Sequence, residues 1–122
     1  MGKKIFIIED DIYIRMNLKM LLESEGYSIE TASDGKDALE RLKAATSLPS
    51  LILLDLMMPI MDGFQFRHEQ ERDPRLADIP VVIISAGGNI EPSKIKIGAK
   101  ASLKKPFNIE DVLDTIKQFA NY

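Results

Sequence analysis

The stretch that decides the fold is LILLDLMMPIMDG, which runs from Leu51 to Gly63. Its first four residues are apolar without polar alternation, which is typical of a strand buried on both faces, although four residues alone could also belong to a buried helix. The run ends in the carboxylate Asp55, and a loop follows between Pro59 and Gly63. Ligands of open parallel sheets bind at the carboxyl ends of the strands, and a buried charge there is costly unless it is compensated. We therefore expect Asp55 either to be paired structurally or to take part in chemistry.

Two further apolar runs follow the same pattern and also end in polar residues. Residues 5–8, IFII, lead into Glu9 and Asp10, and residues 81–84, VVII, lead into Ser85. Both runs predict buried strands that place polar side chains at their carboxyl ends.

Helical patterns alternate with these strands along the chain. Helices are predicted from Asp11 to about Glu25, from Asp34, from Gly63 to about Arg72, from Pro92 to Gly98, and from Asn108. Two weaker strands are predicted from Tyr27 to Thr31 and from Ala101 to Leu103. Strand and helix thus repeat five times. This alternation predicts an α/β fold, a parallel sheet with helices on both faces and right-handed crossovers.

Composition narrows the class of protein further. A chain of 122 residues with 45% apolar content suits one domain, and we expect a single domain over residues 1–122 without a further output domain. The net charge of −3 argues against nucleic-acid binding by electrostatics alone. There is no cysteine, which excludes disulfides and thiolate chemistry. No apolar run approaches the ~20 residues needed to cross a bilayer, so we expect a cytoplasmic protein that does not bind membranes.

Polar residues from several strands should meet at one edge of this sheet. Glu9 and Asp10 follow the first strand, Asp55 the third and Ser85 the fourth, while Lys105 lies just after the last. Three neighbouring carboxylates repel one another unless a cation lies among them, and an all-oxygen site favours Mg²⁺ or a similar hard cation. A hydroxyl and an ammonium suit the oxygens of a phosphoryl group. A carboxylate can itself become an aspartyl phosphate.

Four motifs carry these residues: IIEDD at 7–11, LLDLMMPIMDG at 53–63, IISA at 83–86, and GA at 98–99 followed by KKPF at 104–107. Together, in this order and spacing, they resemble the receiver domain of two-component response regulators. The resemblance covers essentially the whole chain. It implies a flavodoxin-like, doubly wound sheet of five parallel strands in the order 2-1-3-4-5, with five helices on two faces.

The resemblance also implies roles for the acidic residues. Asp55 would be the phosphoacceptor. Glu9 and Asp10 would hold Mg²⁺ together with Asp55 and the backbone carbonyl of Met57. The donor would be a phosphohistidine on a sensor histidine kinase or on a histidine phosphotransfer protein.

The remaining site residues would bind the phosphoryl group itself. By the same resemblance, Ser85 would hydrogen-bond to it and move with it, and Lys105 would form an ion pair with it. The Lys105–Pro106 peptide bond would be cis. Phosphorylation would alter binding to an unidentified downstream protein, so the domain would be a signalling module and an enzyme only for its own phosphotransfer and slow dephosphorylation.

Glu9 replaces the commoner aspartate of the family and retains its charge, and two further features depart from the receiver pattern. Ser102 stands where the family usually has an aromatic residue that acts as a switch, and the segment from Ser85 to Gly98 is shorter than usual. Both lie on the surface that family members use for dimerisation or output. We therefore expect signalling to run through rearrangement of the loop from Ser85 to Pro92.

Three other interpretations compete with the receiver. A metal-dependent phosphatase of the haloacid dehalogenase type needs a second aspartate two residues after the nucleophile, where this chain has Met57. A flavodoxin needs a hydroxyl- and glycine-rich phosphate loop after the first strand, where this chain has acids that would repel phosphate. A pseudo-receiver, an interaction module that is never phosphorylated, stays open because the switch positions are altered.

Overall fold

The computed structural model describes residues 3–120, in which five strands alternate with five helices. The strands are β1 (Lys4–Ile8), β2 (Ser28–Ala32), β3 (Leu51–Asp55), β4 (Val81–Ser85) and β5 (Ala101–Lys104). The helices are α1 (Ile12–Ser24), α2 (Gly35–Ala44), α3 (Gly63–Arg72), α4 (Glu91–Ile97) and α5 (Ile109–Phe119). All neighbouring strands pair in parallel, in the order β2-β1-β3-β4-β5. The predicted fold class and strand order are therefore confirmed.

The sheet has a hydrophobic core on each face because its central strands are buried on both sides. Alternate residues of β1, β3 and β4 point to opposite faces, as the two-residue period of a strand requires. One core lies under α2, α3 and α4 and contains Phe6, Ile52 and Phe66. The other lies under α1 and α5 and contains Ile7 and Leu53. The continuous apolar runs in the sequence thus reflect two cores served by one set of strands.

Several element boundaries differ by about one residue from the sequence-based prediction, and two of them have a clear local cause. Strand β2 begins one residue late because the backbone N–H of Tyr27 still closes α1, donating to the carbonyl of Leu22 at 3.1 Å. Gly26 makes this ending possible with a φ of 96°. Helix α4 begins one residue early, at Glu91, which places Pro92 in the first turn, where a proline loses no intrahelical hydrogen bond.

The loop after β3 is held at both ends by backbone hydrogen bonds. The N–H of Gly63 donates to the carbonyl of Leu56 at 3.0 Å, and the N–H of Gly35 donates to the carbonyl of Met61 at 3.1 Å. Asp62 caps α3 in a reciprocal capping box with Gln65. These contacts fix the chain that follows Asp55.

Replacing Gly63 with alanine tests this loop geometry. A Cβ there would lie 2.8 Å from the carbonyl oxygen of Asp55 and from the Cα of Leu56, both of them backbone atoms. We expect Gly63→Ala to lower the free energy of unfolding by about 1–3 kcal/mol in urea denaturation, because the loop is overpacked. The exposed Lys36→Ala in α2 is a control that should change stability by less than about 0.5 kcal/mol. Helix propensity alone would instead make Gly63→Ala stabilising. A rise in the free energy of unfolding would therefore contradict the close packing at Gly63.

Candidate functional site

The carboxyl edge of the sheet collects the predicted site residues. Glu9 directly follows β1, Asp55 ends β3, Ser85 ends β4 and Lys105 directly follows β5. Because β3 lies between β1 and β4, these strand ends are neighbours along one edge. The topology therefore brings the predicted residues to the same place.

Three carboxylates form a tight cluster at this edge. Glu9, Asp10 and Asp55 each offer an oxygen, and these oxygens all lie within 4.8 Å of one another. The side chain of Glu9 is fully buried, that of Asp55 is nearly so, and Asp10 is exposed. Backbone N–H groups hold the two buried carboxylates: Asp11 donates to Glu9 Oε2 at 3.0 Å, and Met57 donates to Asp55 Oδ1 at 3.2 Å.

Lys105 is the cation of this cluster. Its Nζ lies 2.6 Å from Glu9 Oε1 and 3.6 Å from Asp55 Oδ2. Its backbone N–H donates to the carbonyl of Ser85 at 2.7 Å, and the Lys105–Pro106 peptide bond is cis, as predicted. One ammonium facing three carboxylates leaves the pocket with an excess of negative charge.

Burial has the largest effect on the pKa values of this cluster. Burial raises the pKa of Glu9 to about 7, although the ammonium of Lys105 opposes the rise. Burial likewise raises the pKa of Asp55. Burial lowers the pKa of Lys105, but its contacts with Glu9 and Asp55 outweigh that effect, so the net shift is upward. A second cation would relieve both carboxylates.

The donor atoms of the cluster fit a hard divalent cation. Glu9 Oε1 is buried and has no hydrogen bond of normal geometry, although Lys105 Nζ is within ion-pair distance of it. The contact between Glu9 Oε1 and Lys105 Nζ is therefore an ion pair. Carboxylate oxygens, two of them on buried side chains, are the ligands that Mg²⁺ prefers.

Ser85 and Met57 both lie at this edge, but only Met57 contacts a carboxylate of the cluster. The hydroxyl of Ser85 faces its own loop, donating to the carbonyl of Gly87 at 3.3 Å and accepting from the Gly87 N–H at 3.4 Å. Met57 holds Asp55 with its backbone N–H while its side chain is 79% exposed. The structure thus places both residues at the edge but does not join the Ser85 hydroxyl to the carboxylates.

Arg15 is a site residue that sequence reasoning missed. Its Nη1 donates to the carbonyl of Glu9 at 2.7 Å and more weakly to that of Asp10 at 3.4 Å. From one turn inside α1 it therefore fixes the backbone that carries both acids. Its position four residues after the helix cap Asp11 was the available signal, since that spacing turns the side chain back over the loop.

The raised pKa of Glu9 predicts a pH-dependent stability in the absence of divalent cations. Between its ordinary pKa of 4.5 and its native value of about 7, native Glu9 binds more protons than unfolded Glu9. The free energy of unfolding should therefore fall as pH rises through this window. Urea denaturation at several pH values in a chelator measures the slope. In Glu9→Gln the contribution of this carboxyl should vanish; equal slopes in the variant and the wild type would contradict the assignment.

Comparison with known proteins gives the same family. The model of the response regulator receiver domain matches residues 5–117. The chain is 39% identical to the DNA-binding dual master transcriptional regulator RpaA of Synechocystis over 117 residues, which is 93% of this chain and 47% of that protein. It is 36% identical to the transcriptional regulatory protein CrdR of Helicobacter pylori, over 99% of this chain and 56% of that one. The chain thus spans about half the length of these curated relatives.

A solved structure agrees over nearly its full length. The chemotaxis response regulator CheY4 of Vibrio cholerae superposes with a TM-score of 0.88 at 30% identity, covering 98% of this chain and 99% of that one.

Within residues 3–120, no helix is both long and apolar enough to span a membrane. The chain belongs to the response regulator receiver domains, the phosphorylation-dependent signalling modules of two-component systems.

Proposed function

We propose that this receiver takes a phosphoryl group from a phosphohistidine of a histidine kinase or phosphotransfer protein onto Asp55, and that this changes its binding to a downstream protein. The observation that carries the proposal is the buried Asp55 carboxylate beside Glu9, Asp10 and the single ammonium of Lys105. A charge this poorly compensated is costly for folding, which favours a chemical role over a structural one.

In the proposed transfer, a carboxylate oxygen of Asp55 attacks phosphorus. An O–P bond forms, the N–P bond to the donor imidazole breaks, and the imidazole recovers a proton from solvent. The N–H of Met57, bonded to Asp55 Oδ1, fixes the carboxylate plane. The ammonium of Lys105, 3.6 Å from Asp55 Oδ2, is placed to pair with the phosphoryl oxygens.

We assign a Mg²⁺ site to the carboxylates of Glu9, Asp10 and Asp55 and the backbone carbonyl of Met57. The three carboxylates, whose oxygens lie within 4.8 Å of one another with only the ammonium of Lys105 in ion-pair contact, support this assignment. When bound, the ion would supply positive charge for the phosphoryl oxygens. The bound ion would take over part of the charge compensation of Glu9, and the ammonium of Lys105 would then be free to turn toward the phosphoryl group.

Ser85 links the site to the loop that follows β4. Its hydroxyl donates to the carbonyl of Gly87, so the O–H must turn away from Gly87 before it can donate to a phosphoryl oxygen on Asp55. Gly87 and Gly88 both have positive φ, 149° and 79°, and neither has a side chain that would hinder the movement. This supports the expectation that the signal leaves through the segment from Ser85 to Pro92.

Exposed apolar side chains beside the site support a protein as the donor. Ile12, Tyr13, Met16 and Met20 of α1 are 54%, 83%, 43% and 66% exposed, and Ile12 follows the acidic loop directly. Clusters of large exposed apolar residues mark protein-interaction surfaces. We therefore place the donor on α1, within reach of Asp55.

We propose no enzymatic activity beyond the phosphorylation chemistry of Asp55. We expect no turnover of a separate substrate, only phosphotransfer to Asp55 and slow dephosphorylation. DNA binding is part of the printed name of RpaA, a protein about twice as long as the matched region. Since this chain carries a net charge of −3, we propose that it does not itself bind nucleic acid. A reducing cytoplasm suits its lack of cysteine.

Intact-mass spectrometry tests the acceptor. After incubation with Mg²⁺ and acetyl phosphate, the wild type should gain one phosphoryl group and Asp55→Asn should gain none, because the amide is not a nucleophile. Asp62→Asn is the matched control: it removes a neighbouring carboxylate, but asparagine still caps α3, so this variant should be phosphorylated. No gain in the wild type, from acetyl phosphate or from a phosphorylated kinase, would favour the pseudo-receiver instead.

The donor surface is tested by comparing two phosphodonors. The double change Tyr13→Ser, Met20→Ser should slow transfer from a phosphorylated kinase by about tenfold, since removing interface anchors typically costs 1–2 kcal/mol or more. Transfer from acetyl phosphate should be unchanged because the site is intact. Ile95→Ser, which removes an apolar side chain 76% exposed on α4, is the control and should slow neither. An equal loss with both donors would mean that the α1 changes disturb the site itself.

A further inference from the structure

Arg15 brings a positive charge to the acidic cluster without pairing with any of its carboxylates. Its Nη1 donates instead to two backbone carbonyls, that of Glu9 at 2.7 Å and that of Asp10 at 3.4 Å. Within residues 3–120, Arg15 forms no ion pair, whereas Lys105 contacts two of the three carboxylates. Guanidinium groups near acidic residues frequently form two parallel hydrogen bonds to a carboxylate. Arg15 instead leaves the carboxylates free and binds the backbone that carries them.

The backbone that Arg15 binds is the segment between β1 and α1. The N–H of Glu9 donates to the carbonyl of Ala32 at 3.1 Å, which extends the pairing of the strands by one residue. The carbonyls of Glu9 and Asp10 lie outside the sheet, and Arg15 supplies a hydrogen-bond donor to both. Asp11 then caps α1 with its own side chain. Arg15 therefore holds the residues between the last hydrogen bond of the strand and the first of the helix.

Asp10 depends on this contact more than the other two carboxylates of the cluster do. The carboxylates of Glu9 and Asp55 are buried, and a backbone N–H donates to each of them. The carboxylate of Asp10 is exposed, and no N–H group of residues 3–120 donates to it. Its place in the cluster therefore depends on the backbone that carries it, which Arg15 holds.

The rigidity of such a ligand set bears on which cation it binds. Mg²⁺ demands near-ideal octahedral geometry at short distances, whereas Ca²⁺ accepts roughly six to eight oxygens in a flexible arrangement. Selectivity between the two ions depends on the size of the site, the number of ligands and their flexibility. Residues that orient the ligands without binding the ion typically change its affinity by about 10- to 100-fold.

We propose that Arg15 is a positioning residue that sets the preference of this site for Mg²⁺ over Ca²⁺. By binding the carbonyls of Glu9 and Asp10, it limits the movement of the exposed Asp10 carboxylate. Without Arg15, the acidic segment is looser, which costs Mg²⁺ more than Ca²⁺ because Mg²⁺ tolerates less variation in geometry. The inference rests on the cation site proposed above, and metal binding tests it without phosphoryl transfer.

The charge of Arg15 and its positioning role predict effects of opposite sign. Removing a positive charge beside three carboxylates favours the binding of a cation, by Coulomb attraction alone. Removing the contact with the two carbonyls weakens the binding of Mg²⁺ instead. The direction of the change in Mg²⁺ affinity therefore distinguishes the two roles.

Amide NMR titrations of the ¹⁵N-labelled protein with MgCl₂ and with CaCl₂, without a phosphodonor, measure both dissociation constants. The wild type should bind Mg²⁺ more tightly than Ca²⁺. In Arg15→Met the dissociation constant should rise about tenfold for Mg²⁺ and less than about threefold for Ca²⁺. Arg15→Lys keeps the charge but loses the planar fork of donors, so its Mg²⁺ affinity should be intermediate. Lys19→Met, which removes a positive charge one turn further along α1, is the control and should bind both ions as the wild type does.

The outcomes that contradict the proposal are distinct. Unchanged or tighter Mg²⁺ binding in Arg15→Met would mean that Arg15 acts through its charge or serves the fold alone. Equal weakening of both ions, or a wild type without preference for Mg²⁺, would mean that Arg15 does not select the ion. If Arg15→Met does not fold, Arg15→Lys decides, and Mg²⁺ binding equal to that of the wild type would overturn the proposal. A wild type that binds neither ion would refute the cation site and this inference with it, while the mass measurement judges phosphorylation of Asp55 separately.

Discussion

The constraint on which this structure depends is the burial of Glu9 beside Asp55 at the ends of two adjacent parallel strands. Two like charges in a poorly solvated place disfavour the ionised state, and the single ammonium of Lys105 compensates only part of the repulsion. Burial raises the pKa of both carboxyl groups, and the ammonium of Lys105 offsets only part of that rise. A pocket with this excess of negative charge favours the binding of a cation. Once a cation is bound, the pocket can also accept a phosphoryl group, whose oxygens need positive charge around them.

The rest of the fold keeps this unfavourable arrangement in place. Strands β1 and β3 are buried on both faces, so their ends cannot move apart without opening two cores. Arg15 donates a hydrogen bond to the backbone carbonyl of Glu9 and so holds the chain that carries the acidic residues. Gly63, which has no side chain, allows α3 to start directly against the carbonyl of Asp55. Stability of the sheet thus offsets a local cost at its edge, as is common at functional sites.

Apolar runs made the buried strands and their acidic ends predictable, because a run such as residues 51–54 has no solvent-facing position. The alternation of elements then determined which edge would collect Asp55 and Lys105. Other features are only weakly marked in the sequence. The contact of Arg15 with Glu9 has no signal except its spacing after the helix cap Asp11, and the direction of the Ser85 hydroxyl depends on the conformation of the loop at Gly87. The positive φ of Ile60 contradicts its own residue preference, so local propensity would never predict it.

The most direct measurement is the effect of Mg²⁺ on the free energy of unfolding, by urea denaturation at pH 8 with and without the ion. If the carboxylates form a cation site, Mg²⁺ should stabilise the wild type in proportion to the logarithm of its concentration above the dissociation constant. In Glu9→Gln this stabilisation should shrink strongly, while the ion-free protein becomes more stable than the wild type. Asp34→Asn, which keeps its helix cap, should behave as the wild type does. Equal stabilisation of wild type and Glu9→Gln, or none in either, would contradict the view that this buried cluster is built around a cation.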